Sequence, residues 1–388
     1  MSTKSPSRGK KFSKKRLINW LHLWPGMISA VIVLLICLSG TILVFSDEII
    51  ALSAGKARYV EKVLPQRIPT EKLIGIAVNA VPGAKTTSYM VEDKRPERSV
   101  RFNVFSPQKG LFMVYVDQYS GKVLKVDKTI FFFYVTAHFH ESLLLGKTGQ
   151  WIVDIATIIF LLEIITGIIL WWPKKWNKSA ISVKWNAPWK RLSFDMHRIL
   201  GLYAFMILLV LITTGLLIAF EPLAKFTLKS FGGEDTHHWE HAISAEFDSS
   251  TAKTGIDEAV KKTFGLFPEK KEIKIALWEY EASPYFLVAA TNRAALKSTE
   301  SPDLVYINRQ TGVVNEHVPE TILRGEKIEN MIWMLHMGNW MGWLGKIITC
   351  LGGLIGCLLP ITGFYIWWNK KPKKRKYTST INSEADKL

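Results

Sequence analysis

The chain carries one membrane unit twice, with a histidine at each matching position. In "LHLWPGMISAVIVLLICLSGTILVF" and "MHRILGLYAFMILLVLITTGLLIAF", His22 and Gly40 recur as His197 and Gly215 at an offset of 175. Further along, His140, Gly146, Gly149, Gly167, Trp171 and Trp172 recur as His336, Gly342, Gly345, Gly363, Trp367 and Trp368 at an offset of 196. A chain built this way is constrained to a helix bundle with internal two-fold character. Histidines paired at the ends of apolar helices are what such a bundle needs to grip a planar metal cofactor from two sides.

Apolar residues concentrate near 21–45, 151–172, 198–220 and 345–368. Each block holds about twenty of them, enough at 1.5 Å rise to cross a hydrocarbon core of about 30 Å. The net charge of +17 invites a nucleic-acid reading, so its position decides. Residues 1–16, 173–198 and 370–388 each hold seven Lys or Arg, against Asp195, Glu384 and Asp386, and account for the whole surplus. No basic folded domain is left to bind nucleic acid. These basic segments alternate with two long charge-mixed ones, so the positive-inside rule places both termini and the 173–198 loop in the cytoplasm. The helices are expected to meet membrane lipid around the outside of the bundle. The first apolar run is too long for a signal peptide and ends in "SDEII", so it is read as a retained helix. Cys37, Cys350 and Cys357 lie inside spans with no CxxCH or CxxC, which argues against a disulfide framework or covalent haem. Tryptophans cluster at span ends, as an interfacial belt does.

The expected order is a basic tail (1–16), a first membrane helix (17–46), an α+β domain (47–130), and a histidine segment with a second helix (131–173). A basic loop (174–193), a third helix (194–222), a second α+β domain (223–325), a histidine segment with a fourth helix (326–369) and a basic tail (370–388) follow. Within the α+β segments, "TEKLIGIAVNAVPG" and "GIDEAVKKTFGLFP" have helical spacing, while "RFNVF", "LFMVYVDQYSGKVLKV", "YFLVAAT" and "DLVYINRQTGVVNEHV" alternate as strands do. Val114, Tyr115 and Gly121 match Val305, Tyr306 and Gly312 at an offset of 191.

With "VYVDQYSGKVL" and "VYINRQTGVVN", together with "HESLLLGKTGQW…ITGIILWWP" and "LHMGNWMGWLGK…ITGFYIWW", nearly the whole chain resembles the PepSY-associated transmembrane family. The fold class implied is an integral membrane α-helical protein with four transmembrane helices, a duplicated two-helix unit and two periplasmic α+β PepSY-like domains. Some members, the FoxB-type ferric-siderophore reductases, carry two haem b groups and reduce iron chelates at the periplasmic face. The resemblance implies that activity, and with it a ferric siderophore as substrate.

The histidines divide by position. His22 and His197 open the first and third helices, which run the same way, so they share one depth at the cytoplasmic end; the alternative is a pair of interfacial caps. His140 and His336 form the matching periplasmic pair, provided Gly146, Gly149, Gly342 and Gly345 fold their segments back onto the bundle. His138, two residues from His140, lies about 200° around a helix and is kept as a substitute ligand or a residue near substrate. His237, His238 and His241 have metal-compatible spacing but read first as a solvated loop. His317 reads as surface. Glu163 is a mid-helix carboxylate, open to a proton route or a polar contact in the bundle, and Asp154 lies nearer the periplasmic end. Lys147, Lys346, Arg191 and Arg198 are placed to neutralise haem propionates or to snorkel.

The expected function is an inner-membrane reductase that carries electrons between two low-spin haems, one near each face. No glycine-rich dinucleotide fingerprint or flavin domain is present, so the donor is a quinol, a cytoplasmic flavoprotein or another partner that the sequence does not name. The rivals are a haem-free PepSY regulatory or scaffold protein, and a transporter that uses Glu163 as its coupling residue.

Overall fold

A computed structural model describes residues 13–236, 247–277 and 282–370. Four helices are long and apolar enough to cross a membrane: α1 (Lys14–Leu43), α5 (Gly146–Trp171), α7 (Trp189–Ala219) and the last, which starts in a short 3₁₀ turn and continues as α11 (Gly342–Trp368). α1 packs on α5 and α11, and α7 packs on the same two, so the four close a ring. Val33, Phe160, Ile164, Leu208 and Ile212 meet at its centre. Ile28, Val31, Leu162, Met206 and Leu351 are exposed on the outside, as lipid contact requires. Small residues let the helices approach closely: a Cβ on Gly356 would stand 2.8 Å from Cys37 Sγ, and one on Gly353 would stand 2.2 Å from Thr41 Oγ1.

The remaining helices are α2 (Ser46–Ala54), α3 (Thr70–Asn79), α4 (Thr129–Ser142), α6 (Lys178–Ile181), α8 (Glu221–Ser230), α9 (Ile256–Leu266) and α10 (Glu320–Met337). The strands are β1 (Thr86–Asp93), β2 (Val100–Ser106), β3 (Gly110–Val116), β4 (Val123–Asp127), β5 (Glu272–Ala276), β6 (Tyr285–Thr291), β7 (Arg293–Ala294), β8 (Thr299–Glu300) and β9 (Asp303–Asn308).

The two α+β segments do not form separate sheets. Seven strands make one antiparallel sheet in the order β4-β3-β2-β1-β5-β6-β9, joined at its middle where Tyr89 pairs with Ala276 and Asp93 with Glu272. Neither of the joining strands, β1 and β5, is among the runs that the sequence pattern marks as strands. α3 and α9 cover one face, and Leu73, Phe102, Val114, Ile256, Ile275 and Ile307 share a single core beneath them. The two helices cap each other: Asp257 of α9 accepts from the Thr70 backbone N–H at 3.1 Å, and Glu71 of α3 accepts from the Ile256 N–H at 3.1 Å. Each carboxylate thereby meets the positive end of the neighbouring helix. On the opposite face, strand alternation turns Tyr89, Arg101, Asn103, Met113, Tyr115 and Lys274 toward the bundle.

α4 and α10 descend from the sheet onto the bundle, α4 against α1 and α5, α10 against α7. Their links to the membrane helices are tight. A Cβ on Gly149 would stand 1.7 Å from Ser142 O, and one on Gly345 would stand 2.4 Å from Gly338 O. The fold-back expected of these glycines is present, and only a glycine permits it at either link.

Candidate functional site

The fold brings the four repeated histidines together as two pairs at opposite ends of the bundle. His22 of α1 and His197 of α7 have ring centroids 6.1 Å apart, and His140 of α4 and His336 of α10 have centroids 6.2 Å apart. Along α1, the stretch from His22 to Gly40, where His140 sits, rises about 27 Å. The pairs are therefore separated by most of a bilayer core.

Each ring is held from behind in the same way. His22 Nδ1 lies 3.0 Å from Thr166 Oγ1, His197 Nδ1 lies 3.0 Å from Thr362 Oγ1, His140 Nδ1 lies 3.1 Å from Ser39 Oγ, and His336 Nδ1 lies 3.0 Å from Thr214 Oγ1. All four hydroxyls donate to a carbonyl one turn back in their own helix, at 2.6–2.7 Å. With its hydrogen so committed, each hydroxyl oxygen is an acceptor, and the ring Nδ1 is the N–H that donates to it. Backbone carbonyls reinforce the assignment at three rings: Leu359 O at 3.1 Å for His197, Ile36 O at 2.9 Å for His140, and Leu211 O at 3.1 Å for His336. A proton on Nδ1 leaves Nε2 with a bare lone pair. None of the four Nε2 atoms has a hydrogen-bond partner among the described residues. This is the tautomer a metal-ligating imidazole needs, with the second-shell acceptor that orients it.

The residue after each hydroxyl is a glycine that seats the ring. A Cβ would fall 2.8 Å from His140 Cε1 at Gly40 and 3.1 Å from His336 Cε1 at Gly215. At Gly167 and Gly363 it would fall 3.3 Å from Cε1 of His22 and His197. The Ser/Thr-Gly dipeptide thus occurs four times, once per histidine, as a receptor for the ring. The repeat alignment marks the glycines and passes over Ser39, Thr166, Thr214 and Thr362, although a four-fold [ST]-G inside apolar helices is a readable signal.

One position breaks the symmetry. Glu163 Oε2 lies 3.0 Å from His22 Nδ1, where the matching residue behind His197 is Leu359. The mid-helix carboxylate therefore makes a polar contact in the bundle, and its other oxygen has no hydrogen-bond partner among the described residues.

At the sheet end, a cavity of about 470 Å³ contains both His140 and His336. Its walls come from Gly40, Asp154, Phe160, Leu208 and Gly215 in the bundle, with Tyr89 and Asn103 on the sheet. Burial, with Glu141 and a backbone carbonyl opposing it, lowers the pKa of His140. Burial and the neighbouring His140 lower that of His336 to about 4. Burial thus favours the neutral imidazole at both positions.

Other candidate residues fall elsewhere. His138 is paired with Glu141 and edge-on to the Tyr134 ring at 4.3 Å, and it is His140 whose ring lies 6.2 Å from that of His336. Lys346 is not a surface cation: it is 1% exposed and bound to Glu48 at 2.9 Å, because the turn that starts α11 tucks it under α2. Arg191 and Arg198 converge on the buried Asp195 at 3.1 and 3.6 Å, which occupies them. Lys147 is exposed, as is His317. His237, His238 and His241 lie outside the described residues.

A family model described as the PepSY-associated TM region matches residues 19–370. The chain belongs to that family. The match takes in all four histidines, their hydroxyl and glycine seats, and the whole shared sheet. A comparison with curated proteins finds no match.

Proposed function

We propose that this is an inner-membrane electron-transfer protein holding two haem b groups, one between His22 and His197 and one between His140 and His336, and that it reduces a periplasmic ferric siderophore. The observation that carries the reading is the common construction of the two facing pairs. Four imidazoles, each protonated on an anchored Nδ1, present four free Nε2 atoms as two pairs. Two imidazoles bonded to one metal ion at about 2.0–2.1 Å each would have centroids roughly 6 Å apart, which agrees with the 6.1 and 6.2 Å separations. A bound bis-histidine haem supplies one-electron transfer at a saturated iron with no open coordination position.

The chain's own residues do the rest. Ser39, Thr166, Thr214 and Thr362 keep Nε2 unprotonated, and the four glycines fix the ring planes. The bundle core of Phe160, Ile164, Leu208 and Ile212 keeps water out between the two ends. An iron chelate at the sheet end would be reduced without ligating the haem iron, and a hard-oxygen chelate loosens when its metal becomes Fe(II). The positive-inside rule puts the His22/His197 end in the cytoplasm, where a quinol or a soluble flavoprotein supplies the electrons.

Acid-acetone extraction of the purified protein tests the reading first, with two haems per chain as the expected result. A colourless preparation made with ample haem supply removes it. Dithionite-reduced protein should then be reoxidised by a ferric hydroxamate or catecholate, with an Fe(II) trap recording the product. Reoxidation that stays slow with every ferric chelate but is fast with a quinone keeps the electron path and rejects the siderophore.

A further inference from the structure

Beneath the sheet, a second chamber of about 390 Å³ lies between α2, the inward faces of β1–β3 and β5, and the β7 segment. It adjoins the His140/His336 cavity: Tyr89, Asn103 and Leu296 line both. Four basic side chains line it, Arg58, Arg101, Lys274 and Arg293, against three carboxylates. All three carboxylates are engaged. Glu272 takes Arg101 at 2.9 Å and the Ala294 N–H at 2.8 Å. Glu48 binds Arg293 and, at 2.9 Å, Lys346. Asp47 accepts from the Leu296 N–H at 3.1 Å and lies 3.8 Å from Lys346.

Arg58 and Lys274 have no carboxylate at ion-pair distance among the described residues. Lys274 donates to the carbonyls of Ala295 and Leu296 at 2.8 and 2.9 Å, with its nitrogen 4.3 Å from the centre of the Tyr89 ring. Arg58 Nε is buried with no acceptor among the described residues, and burial together with the like charges of Arg98 and Arg101 depresses its pKa. Asn103, 8% exposed, has a buried Oδ1 with no donor. Buried polar atoms are nearly always satisfied, so two orphans of opposite kind in one charged chamber describe a missing partner. That partner offers an anionic acceptor to the cations and a hydroxyl or N–H to Asn103.

We propose that this chamber binds a small oxyanion that also carries a hydroxyl or N–H donor, the pattern of a hydroxycarboxylate or its iron chelate. If the protein reduces iron chelates as proposed above, this is where an anionic one docks, one shared wall from the His140/His336 cavity. Carboxylates belonging to a cofactor held by that pair have the same chemistry and must be told apart.

The test uses the full-length protein in nanodiscs, with citrate, redox-inert gallium citrate and a neutral gallium trihydroxamate as calorimetric probes. The expected result is saturable binding of gallium citrate, weakened at least ten-fold by Arg58→Gln and by Asn103→Ala, with haem content and visible spectrum unchanged and no competition from the neutral complex. Arg58→Lys, which keeps the charge and loses the Nε–H, should fall between. Absence of citrate binding in a haem-loaded wild type overturns the chamber and leaves the electron path standing. Binding that persists unchanged in both variants also overturns it. Loss of haem or a shifted spectrum in Arg58→Gln, without citrate binding to the wild type, assigns the cations to the cofactor's carboxylates and overturns the proposal. Arg58-dependent citrate binding by a protein that carries no haem supports the chamber and sinks the reductase reading.

Discussion

The two ends of the bundle use the same parts and give them different surroundings. At the His22/His197 end both histidines sit on membrane helices, among tryptophans such as Trp20, Trp24, Trp172 and Trp368, and one of them has a carboxylate behind it. At the His140/His336 end the histidines ride on separate helices let down from the sheet, have hydroxyls and backbone carbonyls but no carboxylate behind Nδ1 among the described residues, and share a cavity of about 470 Å³. A ring on a through-going helix is held by the bundle itself. A ring on a descending helix depends on its glycine seat and on the tight link below it. The difference makes the sheet end the more adaptable and the more easily broken.

The largest effect expected from the proposed haem ligation is that of removing one of its four histidines. His22→Ala or His197→Ala should take extractable haem from two per chain to one and leave the sheet-end spectrum, and His140→Ala or His336→Ala should do the reverse. His138→Ala should leave both. Loss on His138→Ala with retention on His140→Ala would show that the wrong residue of α4 faces His336.

Filling a glycine seat comes next and should rank the two ends. Gly40→Ala puts a methyl 2.8 Å from His140, closer than real Cβ contacts come, so it should lose most of the sheet-end haem, whereas Gly215→Ala, at 3.1 Å from His336, needs that ring to give by a few tenths of an ångström and should lose less. Gly167→Ala and Gly363→Ala, at 3.3 Å, need a shift of only a few tenths of an ångström and should retain theirs. Equal loss at both ends, read from haem spectra, would remove the distinction between held and hung rings.

Smaller again is the effect of the hydroxyls. Second-shell partners of metal-bound histidines are worth about 10–100-fold in affinity. Thr362→Val, Thr214→Val and Ser39→Ala each leave a backbone carbonyl as acceptor, so a loss near the lower limit is expected in a haem-competition titration. Thr166→Val leaves only Glu163 behind His22. The double variant Thr166→Val with Glu163→Leu should therefore cost more than any of the other three.

The smallest effect concerns Lys274, which faces Asp47 from α2, Arg101 from β2 and Lys297 beyond β7. Burial, against the attraction of Asp47, pulls its ammonium down to about 7. In the unfolded chain a lysine titrates near 10.4, so between these values the unfolded state holds the proton and the folded state does not. Stability then rises with pH across that window, and the cost of burying the charge is felt in full below about 7. The wild type should gain thermal stability between pH 6 and pH 9 relative to Lys274→Met. Parallel melting curves over that range would show that Lys274 is not charged in a desolvated place.

What was legible in the sequence follows from local periodicity and repetition. Apolar runs of about twenty residues give membrane helices whatever surrounds them, because only a helix satisfies its own backbone in lipid. Equal offsets from one repeat to the other fix which histidines share a depth, so the four ring positions and the glycine fold-backs could be read directly. The hydroxyl receptors were also present in the sequence, as Ser39-Gly40, Thr166-Gly167, Thr214-Gly215 and Thr362-Gly363. Their role depends on which helix lies behind which ring, and spacing along one helix does not state that.

Other features were decided by the tertiary structure alone. β1 carries a bulge between Thr87 and Tyr89, and β5 is five residues with Glu272 and Lys274 alternating against Ile273 and Ile275, so neither stands out from the polar segments around it. Their pairing joins residues 179 to 187 positions apart, from Asp93 with Glu272 to Tyr89 with Ala276. The same event fuses two expected domains into one sheet, buries Lys274, and closes the charged chamber over the His140/His336 cavity. Lys346 reads as a surface cation at a helix start until α2 supplies Glu48 from the other end of the chain. In each case the deciding partner is distant in sequence, and a charged side chain carries no mark of whether water or a carboxylate will meet it.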